Sequence, residues 1–193
     1  MGTYRNSSKR YIFFDRDGTI NVDEGYSHKL ENLVFVDGVI DFMRSYQELY
    51  EYIIVTNQAG IAKEKFSLDQ MHYFNAGLCS QLEEHGISIK ELYFCPHHPY
   101  ATIQDLRVNC DCRKPKPGLF EMAAEEYNID KSQSLVVGDK LSDIEAAYNF
   151  GLRKGFLINK CREEREKLEE FNKSRNCRFT AISNFNKIAS REN

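Results

Sequence analysis

Four groups of residues in this chain have the types and spacing to do chemistry, and the first is Tyr11-Ile12-Phe13-Phe14-Asp15-Arg16-Asp17-Gly18-Thr19. An apolar run that ends in two acids and a glycine reads as a buried strand opening into a tight loop. Two carboxylates one residue apart can divide a phosphoryl transfer between them. Asp15, beside a divalent cation, would attack phosphorus as a nucleophile, while Asp17 supplies a proton to the departing alcohol. From local composition alone a polar turn after a core strand is the favoured reading, because Asp and Gly are ordinary turn formers.

The second group, Thr56-Asn57-Gln58-Ala59-Gly60, follows Tyr52-Ile53-Ile54-Val55 and offers a hydroxyl, two amides and backbone N–H groups as a cradle for phosphate oxygens. The third is Arg113-Lys114-Pro115-Lys116-Pro117-Gly118, where prolines stiffen a loop carrying cations. Lys114 suits the transferring phosphoryl group, Arg113 suits substrate recognition, and Lys116 is read as a surface charge. A basic surface turn is the alternative. The fourth is Asp139, after Leu135-Val136-Val137-Gly138, placed to complete a Mg2+ site with Asp15. Asp143 has a structural reading, since Ser142 to Glu145 fits a capping box.

A separate cluster brackets residues 95 to 112. Cys95, His97, Cys110 and Cys112 make a closed tetrahedral zinc set that would staple a loop and leave no position for substrate. Reduced thiols packed as small hydrophobes, or a disulfide, are the alternatives. His97 is preferred over His98 because residues two apart share a side of an extended chain. Cys79, Cys161 and Cys177 are read as free.

The elements that must hold these residues alternate. Strands at Tyr11–Phe14, Tyr52–Val55, Ile87–Phe94, Leu135–Val137 and Gly155–Ile158 are separated by helical patterns, which argues a parallel α/β sheet with right-handed crossovers. Asp37 is the expected N-cap of a helix running to Leu49. Ser67-Leu68-Asp69-Gln70 opens a helix to about His85, with Gly86 as its stop, and another spans Gly118 to about Tyr127. Asn21 to Val36 has no periodicity and suits a mobile loop over a pocket mouth, or a plain connection. Cys161 to Arg178 is a charge-dense helix, and Phe179–Ile182 an edge strand.

Composition sets bounds. With 193 residues, 41% hydrophobic and 28% charged, the chain fits one globular domain, residues 1–193, with an independent core. A net charge of −3 argues against a partner bound through a strongly positive field, so no nucleic acid is expected. No apolar run nears the ~20 residues of a membrane span. The N-terminus, Met1 to Arg10, is polar and basic with no apolar segment after it, and a cytoplasmic monomer is expected.

Asp15-Arg16-Asp17-Gly18-Thr19 resembles the DxDGT signature of the haloacid dehalogenase superfamily, and the later strand-end stretches resemble its remaining motifs in order, over roughly residues 10 to 160. The resemblance implies a Rossmann-like, doubly wound, mainly parallel sheet flanked by helices, with no separate cap domain and a zinc-bound loop near the active site. It implies that Asp15 is the nucleophile and Asp17 the acid/base. Thr56 and Lys114 would bind phosphate, and Asp15, Asp139 and the Asp17 backbone carbonyl would hold Mg2+. The stretches Asn21-Val22-Asp23, Thr56-Asn57-Gln58, Cys95-Pro96-His97-His98-Pro99, Cys112-Arg113-Lys114-Pro115 and Gly138-Asp139-Lys140 are similar to a capless subfamily. That subfamily contains sugar bisphosphate phosphatases, which serve lipopolysaccharide or surface-glycan heptose synthesis, and histidinol phosphatases.

By that likeness Asp23, Glu24, Gly25, Tyr26, Thr56, Asn57, Gln58, Ala59, Arg113, Lys114 and Lys140 would contact a small sugar phosphate. Ala59 departs from the serine of many relatives, which removes a side-chain contact and leaves the backbone N–H. The zinc loop would then wall the pocket in place of a cap. An inactive binding module that kept the fold would be expected to have lost a reactive residue, and none is missing. An end phosphatase for polynucleotides is disfavoured by the acidic balance.

Overall fold

The computed structural model describes residues 9–175 and 177–189. The polar segment Met1–Ser8, and Asn176 in the expected charged helix, lie outside the described residues.

Six strands form one all-parallel sheet: β1 (Tyr11–Phe14), β2 (Glu51–Asn57), β3 (Ile89–Cys95), β4 (Leu135–Gly138), β5 (Lys154–Ile158) and β6 (Arg178–Ile182). Their order is β3-β2-β1-β4-β5-β6. A sheet wound this way reverses direction between β1 and β4, and a crevice opens there beyond the strands' C-terminal ends. The two strands at that point are the ones that end in Asp15 and Asp139.

Because side chains alternate across a strand, β1 feeds two cores. Tyr11 and Phe13 pack on one face with Phe120, Ile144 and Phe171, whereas Ile12 and Phe14 pack on the other with Phe42, Phe74 and Phe185. The first face is covered by α4 (Gly118–Glu126), α5 (Leu141–Phe150) and α6 (Arg162–Arg175). The second is covered by α1 (Val39–Tyr46), α3 (Leu68–Glu84) and the short α7 (Asn186–Ala189). A single-turn helix, α2 (Ala59–Ala62), follows β2.

The capping box at Ser67 forms as expected, with the Ser67 hydroxyl accepting from Gln70 N–H and the Gln70 side chain accepting from Ser67 N–H. Gly86 ends that helix region at φ +77°. Four local expectations change. Asp37 does not cap α1; Gly38 does so at φ +79°, a left-handed backbone that favours glycine, and an added Cβ would meet Asn186 Oδ1 at 2.7 Å. The same helix stops at Tyr46, leaving Leu49 exposed. Ser142 does not open α5; the helix starts at Leu141, and Asp143 Oδ2 accepts the Lys140 N–H at 3.0 Å. The 21–36 stretch is not wholly irregular, since it carries a 3-10 turn at Leu30–Asn32 and a bridge between Asn21 and Phe35. No described helix is long and apolar enough to cross a membrane.

Phe13 lies fully buried, 4.8 Å from the Phe120 ring centre and 6.1 Å from that of Phe150. Phe13→Ala is expected to cost about 3–5 kcal/mol of stability through lost packing and a cavity, read as the change in urea unfolding free energy.

Candidate active site

The end of β1 delivers Asp15 as its backbone N–H donates to Val137 O of β4 at 2.9 Å. The chain then turns sharply around the Arg16 carbonyl, which accepts from Thr19, Ile20 and Asn21 N–H. Gly18 sits in this turn at φ +83°, and a Cβ there would come 2.5 Å from Asp139 Oδ2. Only glycine lets the two acid-bearing loops approach so closely.

Lys114 arrives from the loop before α4. Its ammonium is 2.6 Å from Asp15 Oδ1 and 2.7 Å from Asp143 Oδ1, and it donates to Val55 O at 2.7 Å. Three acceptors account for its three N–H bonds. Asn57 fixes the loop from β2, accepting the Lys114 N–H at 3.1 Å and donating to the Lys114 carbonyl at 3.2 Å. The Lys114–Pro115 peptide is cis. Asn57, expected to contact substrate, lines the cavity and also spans the backbone of Lys114.

One oxygen each from Asp15, Asp139 and Asp143 lies within 4.8 Å of the others. Burial pushes the Asp15 carboxyl up to about 6, opposed by Lys114 and reinforced by Asp143. Burial, then the charges of Asp15 and Asp143, pushes Asp139 up to about 7. Asp139 Oδ1 is buried with no hydrogen-bond partner. Crowded carboxylates with an orphan oxygen are what a hard divalent cation satisfies, so the donor set fits Mg2+. Burial works against the Lys114 charge, but Asp143 and Asp15 outweigh it and hold its ammonium above its ordinary range.

Asp17 lines the same cavity. Its Oδ1 accepts from Arg16 Nε at 3.1 Å and Asn21 Nδ2 at 3.0 Å, and its Oδ2 from Arg16 Nη2 at 2.8 Å and Gln58 Nε2 at 2.9 Å. Gln58 Nε2 also reaches Thr56 Oγ1 at 2.9 Å.

A cavity of about 520 Å3 opens on this floor. Of the residues expected in the site, Asp15, Asp17, Asp23, Gly25, Tyr26, Thr56, Asn57, Gln58, Ala59, Arg113, Lys114 and Lys140 line it. Glu24 lines a smaller neighbouring depression instead. Asp139 joins through the acid cluster, with Lys140 Nζ 3.7 Å away. Three participants had no assigned role in the sequence reading: Ser142 and Asp143, which line the cavity, and Arg16, which holds Asp17. The capping pattern at Asp143 concealed an ion pair that only the Lys114 loop completes.

The Cys95, His97, Cys110 and Cys112 donors also converge within 4.8 Å. Sulfur separations of 3.1–3.5 Å are far from the ~2.05 Å of a disulfide, and His97 Nδ1 stands 3.3 Å from Cys112 Sγ. Their shared hydrogen bond raises the Cys95 thiol and lowers that of Cys112 to about 5. His98 takes no part; its Nδ1 accepts the Tyr100 N–H at 3.1 Å. The cluster adjoins the cavity, because Arg113 follows Cys112 directly and donates to His97 O at 3.2 Å.

A parallel sheet of this order, with a strand-end carboxylate facing a buried lysine and a cation-ready acid cluster, defines an α/β phosphotransfer hydrolase. Residues 111–178 match the HAD-hydrolase-like family model. The D-glycero-beta-D-manno-heptose-1,7-bisphosphate 7-phosphatase of Escherichia coli strain K12 is 44% identical over 137 residues, 70% of this chain and 72% of that one. The protein of the same name from Haemophilus influenzae is 40% identical over 148 residues, covering 76% and 80%. The D,D-heptose 1,7-bisphosphate phosphatase of B. bronchiseptica, solved with magnesium and phosphate, superposes with a TM-score of 0.76 at 24% identity, covering 95% of this chain and 97% of that one. The chain belongs to the haloacid dehalogenase-like phosphatases and is a phosphoric monoester hydrolase.

Two outcomes follow. A carboxyl with a raised folded-state pKa binds its proton more tightly when folded, so its contribution to stability falls as pH rises from about 4 to 7. The rise in Tm on adding Mg2+ to metal-free protein should therefore be larger at about pH 7.5 than at about pH 5.5, and Asp139→Asn should remove most of that difference. Elemental analysis of protein purified without chelator should find about one equivalent of zinc, lost in Cys112→Ser.

Proposed function

We propose that this protein removes the 7-phosphate of D-glycero-D-manno-heptose 1,7-bisphosphate through an aspartyl-phosphate on Asp15. The observation that carries the reading is the Asp15 carboxylate at the cavity floor, its oxygen 2.6 Å from the Lys114 ammonium and within reach of Asp139. The substrate comes from the relatives, which bear that activity in their names at 40–45% identity.

Asp15, Asp139 and the Asp17 carbonyl would hold Mg2+, which when bound supplies positive charge to the nucleophile and the phosphoryl oxygens. Asp15 attacks phosphorus, and the bond from phosphorus to the sugar oxygen breaks. Asp17 gives that oxygen its proton. Lys114 and Thr56 donate to the non-bridging oxygens as charge redistributes among them. Asp17, now a base, takes a proton from water; the water oxygen bonds to phosphorus, the bond to Asp15 breaks, and phosphate leaves.

Arg113 and Lys140 give the cavity cations beyond those on the reacting phosphoryl group, which supports a substrate carrying a second phosphate. Zinc on Cys95, His97, Cys110 and Cys112 would hold the loop from which Arg113 extends. The whole chain is read as one such domain. All six cysteines are unpaired, which supports a reducing, cytoplasmic setting.

Asp15→Asn is expected to abolish turnover, with activity above trace level in that variant refuting the nucleophile. Initial rates on both anomers of the heptose bisphosphate and on histidinol phosphate should favour a bisphosphate. Faster turnover of histidinol phosphate would move the protein to the other branch of its subfamily.

A further inference from the structure

Among the described residues Arg16 is the largest fully buried side chain, and its charge lies in no role discussed so far. Resting on the reading of Asp17 as acid/base, we infer that Arg16 is a positioning residue: it sets the place and orientation of the Asp17 carboxylate and ties both to the loop at the cavity mouth.

The geometry is that of a fork. Arg16 Nε and Nη2 meet the two oxygens of Asp17 at 3.1 and 2.8 Å, a bidentate pair that fixes the carboxylate plane as well as its distance. The guanidinium is itself held from behind. Nη1 donates to Asn75 Oδ1 of α3 at 2.6 Å, and the group lies 4.6 Å from the centre of the Phe74 ring. Nη2 also faces Ser27 O at 2.8 Å and Gln58 Oε1 at 3.1 Å, so its two N–H bonds are shared among three acceptors. Ser27 belongs to the 21–36 stretch, whose residues Asp23, Gly25 and Tyr26 line the cavity. One buried cation thus joins the carboxylate, the mouth loop, the phosphate-cradle glutamine and a helix of the scaffold.

Asp17 is the solvent-facing end of this web, with its side chain 16% exposed against 0% for Arg16. Each of its oxygens accepts two N–H bonds, so the carboxylate cannot rotate without breaking one. To exchange a proton with a leaving oxygen it releases a single donor. The donor that also lines the cavity is Gln58, and the fork keeps the carboxylate aligned while that contact opens. Lysine cannot replace the fork, because an ammonium is a point donor with no fixed plane.

The test separates positioning from folding. A sugar phosphate needs its leaving oxygen protonated, whereas 4-nitrophenyl phosphate expels a stable phenolate unaided. Because kcat/KM covers steps only through phosphorylation of Asp15, the ratio of kcat/KM for the heptose bisphosphate to that for 4-nitrophenyl phosphate reads proton delivery together with the mouth loop's hold on the sugar, the two things the inference assigns to Arg16. In Arg16→Lys that ratio should fall by about tenfold or more, the scale of a small misplacement of a reacting group. Asn75→Ala, remote from the cavity and milder for folding, should lower it in the same sense by about threefold. Asp17→Asn sets the full effect. If the ratio falls in Asp17→Asn but is unchanged in Arg16→Lys, or in Asn75→Ala should Arg16→Lys not fold, the inference about Arg16 is overturned. If it is unchanged in Asp17→Asn, the assignment of Asp17 itself fails.

Discussion

The ammonium of Lys114 between Asp15 and Asp143 is the contact on which the site depends. Burying two carboxylates and one ammonium is costly unless each charge finds its partner. Here the lysine is almost fully enclosed, and its three donors end on Asp15, Asp143 and Val55 O. The balance is deliberately incomplete. Asp139 adds a third carboxylate with an orphan oxygen, so three carboxylates face a single lysine ammonium on the floor of the cavity. That surplus suits a divalent cation beside Asp15, the proposed nucleophile.

The rest of the fold delivers those groups to one place. Winding the sheet outward in both directions from β1 and β4 leaves their ends uncovered side by side. Asp15 and Asp139 occupy those ends, and Thr56 sits at the end of the neighbouring β2. Lys114 comes from a loop with no strand under it, and Asn57 supplies what a strand would have supplied, two hydrogen bonds to the lysine's own backbone. Gly18 lets the first acid loop pass against Asp139. The arrangement stays rigid because both faces of β1 are closed by aromatic side chains.

The Cys95–Cys112 loop solves a different problem. It lies beyond the edge strand β3, where its backbone has few ladder partners, and four soft donors gathered within 4.8 Å compensate for the missing sheet. No residue of the 95–112 loop itself lines the cavity, contrary to the expectation that it walls the pocket; its link to the site is Arg113, which lines the cavity and is held on His97 O.

Much of this was readable in the chain because the signals are local. An apolar run ending in acids marks β1, the Ser67 and Gln70 pair marks the start of α3, and a spacing of two selects His97 over His98. The family signature added the order of the strand-end residues. What the chain could not disclose depends on partners distant in sequence. Asp143 has the local pattern of a helix start, and only the approach of Lys114 makes it half of a buried ion pair. Arg16 sits in the variable position of its motif; Asn75 and Ser27, which give it a purpose, come from a helix and a loop with no shared pattern. Asn57 has the composition of a ligand-binding amide, and only the fold shows that it also fixes the backbone of Lys114. Hydrophobic period and turn chemistry act over a few residues and so are written in the sequence, whereas the pairing of buried charges is decided only when the sheet brings its loops together.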